Sequence, residues 1–216
     1  MSEKFHVQLD ELKTDVIGMS KLAQEMLMQA MEAMVEQDTE LANTVIARKG
    51  TLRETNDRLE ERAYLMIALY QPMATDMRKI ACGLKVIASA DRIGRYGKDI
   101  AKIVEDISDK PHIDGMLSIP HMANLVIEMI EDSIAAYEKE DLSLVEDFSK
   151  RDDCVDALRH SMFREAITYM IENPKNISRC TNYIMVSRYL ERCADHACKI
   201  AENVHYMVSG ERIEIN

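Results

Sequence analysis

Ala90-Asp91-Arg92-Ile93-Gly94-Arg95-Tyr96-Gly97 and Leu190-Glu191-Arg192-Cys193-Ala194-Asp195-His196-Ala197 read as two copies of one segment. Each runs into an apolar-periodic stretch, Ile100-Ala101-Lys102-Ile103 in one copy and Ile200-Ala201-Glu202-Asn203 in the other. Such self-similarity sets the architecture before any other feature is read. The copies also differ in sign. The second carries Glu191 and Asp195, four apart on one helix face, where carboxylates repel unless a cation sits between them. The first keeps Asp91 and follows it with Arg95.

Working outward, each copy closes a set of three apolar-periodic segments. Phe5, Leu9, Leu12, Val16, Met19, Ala23, Met26, Ala30 and Ala33 alternate spacings of four and three. That seam predicts a first helix of about 45 Å. Asp38 or Thr39 can cap a second helix, carrying Leu41, Val45, Leu52, Leu59, Met66 and Tyr70. Gln71-Pro72 ends it, because the residue before proline is pushed out of helical space. Thr75 or Asp76 caps a third, with Ile80, Leu84, Ile87, Ile93, Ile100 and Val104 apolar. Residues 108–119 hold the longest cluster of breakers and read as a linker. Pro120 opens a fourth helix, running to about Tyr137. A fifth runs from near Asp141 to about Ile171, and Glu172-Asn173-Pro174-Lys175-Asn176 breaks it. A sixth runs from about Ser178 to Val208, with Gly210 as its C-terminal cap. The expected fold is all-α: two tandem, pseudo-repeated, antiparallel three-helix bundles over 1–107 and 120–210, with a tail at 211–216. Only Ile213-Glu214-Ile215 hints at a strand.

Composition agrees. Of 216 residues, 47% are hydrophobic, enough for a substantial core, and 4 Pro and 7 Gly punctuate them. No apolar run approaches the roughly 18 residues of a membrane span. The opening MSEKFHVQLDELK lacks the apolar core of a signal peptide. The 5 Cys are odd in number and show no C-x-x-C spacing, which suits reduced thiols in a cytoplasm. A net charge of −11 argues against nucleic acid and anionic lipid as partners. Residues 1–107 hold 15 basic and 18 acidic side chains, net −3; residues 108–216 hold 12 and 20, net −8. The excess acid lies in the half with the carboxylate pair.

The fifth helix has an interrupted stripe: Val145, Phe148, Asp152, Val155, Arg159, Met162, Ala166, Tyr169. Asp152 stands where an apolar residue belongs, Asp153 follows it, and Asp156 lies four further on. Helices five and six are joined by a short break and should pack antiparallel, which sets Asp152 and Asp156 at the height of Glu191 and Asp195. Clustered carboxylates cost energy without partners. Three arrangements answer that cost: a hard metal held through oxygen, pairing with Arg159, Arg188 and Arg192, or exposure to water. Counting from the proline breaks, Lys49, Arg53, Asp91 and Arg95 occupy the equivalent positions in the first half. Those bases either pair with Asp91 and Glu54 or form an anion pocket. Glu202-x-x-His205 and Glu3-x-x-His6 have di-iron spacing, but their flanking glutamates are missing. His196 points about 100° away from Asp195. No phosphate loop, Ser/His/Asp set or H-E-x-x-H motif occurs, so catalysis has no support of its own.

The chain resembles the PhoU family of phosphate-uptake regulators over nearly its full length. Four segments carry the resemblance: Gln71-Pro72-Met73-Ala74-Thr75-Asp76-Met77-Arg78, Arg151-Asp152-Asp153-Cys154-Val155-Asp156-Ala157-Leu158-Arg159, Leu190-Glu191-Arg192-Cys193-Ala194-Asp195-His196-Ala197 and Tyr206-Met207-Val208-Ser209-Gly210. The resemblance implies two three-helix repeats and a cytoplasmic, non-catalytic protein that assembles as a homodimer. It implies repression of the phosphate-starvation response through contacts with the ATPase of a phosphate ABC transporter and with a membrane sensor histidine kinase. It also implies a divalent or trivalent metal ion, iron, zinc, manganese or magnesium, on an acid-x-x-x-acid motif helped by the preceding helix. Carried over, the metal residues are Asp152, Asp156, Glu191 and Asp195. The first repeat departs with Lys49, Arg53 and Arg95, so one metal site is expected. The competing class is a helical-bundle metalloenzyme, a ferritin-like oxidase or a hydrolase; a plain scaffold with solvated acids is a third.

Overall fold

The computed structural model describes residues 3–113 and 118–215. Its elements are α1 (Glu3–Glu36), α2 (Thr39–Ala47), α3 (Lys49–Tyr70), α4 (Ala74–Ile107), α5 (Ile119–Lys139), α6 (Phe148–Glu172) and α7 (Ile177–Ser209). Short 3-10 turns at Leu142–Val145 and Pro174–Asn176 precede α6 and α7. Among the described residues there is no strand, and Glu211 to Ile215 run as irregular tail. The architecture is the expected all-α pair of three-helix repeats. Of the linker predicted over 108–119, positions 114–117 lie outside the described residues, and Ile119 already belongs to α5.

All nine seam residues of α1 are buried, from Phe5 to Ala33. In the first repeat α1 packs on α4 with α2 and α3 alongside; in the second, α7 packs on both α5 and α6. The repeats are not separate bodies. α4 lies along α7, α1 touches α5, and one continuous core runs through both halves. Small residues allow the tightest approach. A Cβ on Gly97 would come within 2.9 Å of Leu27 N and Met26 C, so the α1 and α4 backbones meet there.

Several helix boundaries differ from those predicted. The second segment breaks at Arg48, whose backbone N–H bonds back to Val45 O, and becomes α2 and α3. Asp38 is its cap, with Oδ1 accepting from Glu40 N at 2.9 Å and Leu41 N at 3.0 Å. Neither Thr75 nor Asp76 caps α4; the helix starts earlier, after extended Met73, and Asp76 sits in its first turn. Asp141 caps the 3-10 turn through Ser143 N, and α6 begins only at Phe148. Side-chain caps thus set α2 and the 3-10 turn, while α3, α4 and α6 start without one. At the other end, Gly210 closes α7 with φ 79°, its N–H bonding to Tyr206 O at 3.0 Å. Gln71 ends α3 in the left-handed region before Pro72.

Candidate cation site and the seam between the repeats

The break at 173–176 turns α7 back along α6, which sets Asp152 within electrostatic reach of Asp195. Asp152 takes the place of a core residue between buried Phe148 and Val155. Its carboxyl is raised above the ordinary range, first by burial and then by the charges of Asp195 and Asp156. The Cys198 thiol donates to Asp152 Oδ1 at 3.7 Å. That thiol is itself pushed well up, by burial and then by Asp152, and stays protonated. Asp152, Asp195, Cys198 and Glu202 share the wall of a cavity of about 660 Å³.

The other acids are drawn elsewhere. Glu191 is nearly buried and lies 3.6 Å from Arg159 Nε and 3.9 Å from Arg188. Its Oε2 is buried and without a hydrogen-bond donor. Asp195 pairs with Arg192 at 3.2 Å, and Asp156 and Asp153 are exposed. Among the described residues, no three His, Cys, Asp or Glu side chains are grouped to hold a metal as they stand. Of the three arrangements read from the sequence, arginine pairing holds for Glu191 and Asp195 and exposure for Asp153 and Asp156, while Asp152 accepts from Cys198. Chemistry still fits a cation here. Asp152 is raised by burial and then by like charge, Glu191 Oε2 has Arg188 at 3.9 Å but no hydrogen-bond donor, and the donors are hard oxygens suited to a hard ion. Cys198 and Glu202 were missed by the sequence reading, although their spacing after Asp195, three and then four, puts all three on one face of α7.

The equivalent positions in the first repeat are occupied by an ion pair. Arg95 Nε lies 2.7 Å from Asp91 Oδ2, one turn along α4. Lys49 is exposed; exposed Arg53 turns to Asp57 at 3.9 Å, not to Asp91 or Glu54. The two motifs with di-iron spacing are dispersed. His6 faces Asp76 at 3.8 Å, His205 bonds within the C-terminal turn, and Glu202 Oε1 accepts from Ile215 N at 2.9 Å.

His196 faces the seam between the repeats. Its ring lies 6.2 Å from that of Tyr96, which also stacks on Tyr189 at 5.7 Å. The imidazole is depressed to about 4, first by burial and then by the cations Lys199, Arg92 and Arg192. The tail crosses α7 beside it. Arg212 covers the ring of Tyr206 at 4.8 Å, and the bond from Ile215 to Glu202 fastens the tail's end.

Fold and site together define a class: a tandem-repeat helical bundle whose second repeat exposes a carboxylate cavity and whose first replaces it with an ion pair. The model of the PhoU domain matches residues 16–104 and 119–204, and the chain belongs to the PhoU family. It is 36% identical over 211 residues to a phosphate-specific transport system accessory protein PhoU homolog of Aquifex aeolicus, covering 98% of this chain and 96% of that one. A protein of the same name from Clostridium acetobutylicum is 30% identical over 213 residues, covering 98% and 97%. The crystal structure of PhoU from Pseudomonas aeruginosa superposes with a TM-score of 0.91 at 28% identity, covering 96% of this chain and 100% of that one. PhoU from Streptococcus pneumoniae shares the fold, with a TM-score of 0.89 at 23% identity, covering 97% and 99%.

Proposed function

We propose that this chain is a cytoplasmic, non-catalytic regulator of phosphate uptake that represses the phosphate-starvation response. It acts by contact with the ATPase of a phosphate ABC transporter and, at a second docking partner, with a membrane sensor histidine kinase; it works as a homodimer. The observation that carries the reading is the match, over nearly the full length of both chains, to proteins named as accessory to phosphate-specific transport. Two features support it. No helix of the described residues is long and apolar enough to cross a membrane. Exposed apolar side chains flank the α3–α4 turn in the first repeat, Leu69 and Met73, and the α6–α7 break in the second, Ile171 and Ile177, each at least half exposed. Such residues suit docking to another protein. The test is capture of the transporter's purified ATPase by the purified chain, repeated with Leu69→Asp and Ile171→Asp. Binding that is absent in the wild type, or phosphoester turnover that depends on Asp152, would refute the reading.

The carboxylate cavity belongs to the same proposal, as a metal site with Asp152, Asp156, Glu191 and Asp195 as oxygen ligands. A bound ion would neutralise the like charges that raise Asp152 and would occupy the orphaned oxygen of Glu191. It would displace Arg159 and Arg192 from their present acids. Iron, zinc, manganese and magnesium all suit oxygen donors, and elemental analysis of unchelated protein identifies the one carried. Removal of Glu191 and Asp195 together should abolish bound metal. Stoichiometric metal in that double variant would sink the assignment.

A further inference from the structure

We propose that the cavity between α4 and α7 binds a small phosphate-bearing anion, with Lys85, Arg92, Lys199 and Arg212 as its cationic wall. The cavity measures about 450 Å³, within the range of small-molecule sites. Lys85 and Arg92 come from α4, Lys199 from α7 and Arg212 from the tail, so three separate elements supply charge of one sign. The single acid in this wall is Glu202, and Lys199 and Arg212 also border the neighbouring cavity that holds Asp152, Asp195 and Glu214. None of the four cations makes an ion pair among the described residues, and Arg212 instead covers Tyr206. Gathered cations of this kind repel one another, and an anion held between them relieves that repulsion.

The opening is a consequence of residue choice. In the register that pairs Asp91 with Glu191, Ser89 of α4 corresponds to Tyr189 of α7. Tyr189 stacks on Tyr96 and fills its side of the seam. Ser89 is small and buried, and its side stays open as the floor of the cavity. The lining also fixes the ligand class. Lys85 and Arg92 line this cavity alone, while Lys199 and Arg212 are shared with the carboxylate cavity, so the wall is positive on its α4 side and offers several donors to one anion. A phosphate group carries roughly two charges near neutral pH and three oxygens for Arg and Lys donors. Tyr206 and Ile213 add an apolar wall beside those donors. The shared chemistry is the phosphoryl group, whether free phosphate or the phosphate end of a nucleotide.

Calorimetric titration of the full chain with inorganic phosphate, AMP and ATP, at one fixed ionic strength, tests the proposal. At least one probe should bind saturably. Arg92→Ala with Lys199→Ala should weaken that binding about tenfold or more; both side chains are exposed, and circular dichroism verifies the fold. Glu202→Gln should tighten it, because the amide oxygen still receives the Ile215 N–H while the acid is gone. Arg58→Ala with Lys150→Ala, which removes two exposed cations elsewhere, should change nothing. A preference for inorganic phosphate assigns the free anion, and a preference for AMP or ATP assigns a nucleotide. The proposal is overturned if no probe binds saturably at millimolar concentration, if the Arg92 and Lys199 variant binds as the wild type does, or if the control weakens binding equally.

Discussion

The two repeats place the same segment in α4 and α7, yet the chain treats them in opposite ways. In α4 the acid-to-base change lets Asp91 and Arg95 neutralise each other within one turn. In α7 Glu191 and Asp195 borrow Arg159, Arg188 and Arg192, and Asp152 across from them remains at odds with its neighbours. Packing diverges as well. α4 uses Gly94 and Gly97 where α7 has Ala194 and Ala197; Gly97 admits the α1 backbone and Gly94 the Leu52 side chain.

The largest expected effect breaks the packing half of that comparison. Gly97→Ala pushes a methyl against the backbone of Leu27 and Met26. Overpacking of this kind costs about 3 kcal/mol at its upper end, and the gain in helix propensity returns about 1 kcal/mol. A net loss of about 2 kcal/mol should appear in urea unfolding. Ala197→Gly should lose only about 1 kcal/mol, through propensity. Stabilisation by Gly97→Ala would mean that α1 and α4 do not meet as described.

The electrostatic half is sharpened by Arg95→Asp, which gives the first repeat the carboxylate spacing of the second. Loss of the pair and the new repulsion should cost about 1 kcal/mol. Added divalent cation should restore part of the loss, since a ligand that binds only the folded state stabilises it. Thermal unfolding with and without metal reads both effects. A variant indifferent to metal would show that spacing alone does not make the site and that Asp152 and Asp156 on the facing helix are required.

The smallest effect lies where the repeats join. Glu140 Oε1 accepts from Lys13 at 2.9 Å and from Lys79 at 3.0 Å, tying the end of α5 to α1 and α4. Burial would raise this carboxyl, but the two lysine hydrogen bonds outweigh it and hold it below its ordinary 4.5. A depressed acid stabilises the fold above its unfolded value, and that stabilisation is lost as pH falls through the folded one. Glu140→Gln should therefore cost about 1 kcal/mol or less near neutrality. The difference from wild type should shrink as pH drops below 4.5. A constant difference at all pH values would assign the loss to packing.

Legibility followed the physics of each element. The stripe of α1 was readable because every third or fourth residue must face a core, and all nine of its residues do. The Arg48 break and the late start of α6 were not, since apolar spacing continues across both and the decisive features are backbone and capping bonds. The two acid pairs were legible from their spacing of four along α6 and α7. Their arginine partners were legible only as one of three alternatives, because a long arginine side chain reaches whichever acid the packing brings near. Cys198 and the tail joined the site only through the fold.

What the sequence determined by itself was the repeat, the sign change between Asp91–Arg95 and Glu191–Asp195, and the faces of the long helices; all are local in chain position and follow from helical periodicity. The tertiary structure decided how the repeats meet. The seam of α4 and α7, the gap above Ser89 and the crossing of the tail over α7 join residues more than a hundred positions apart in part. No local pattern records such a meeting, because it depends on the angle and depth at which whole helices settle against one another.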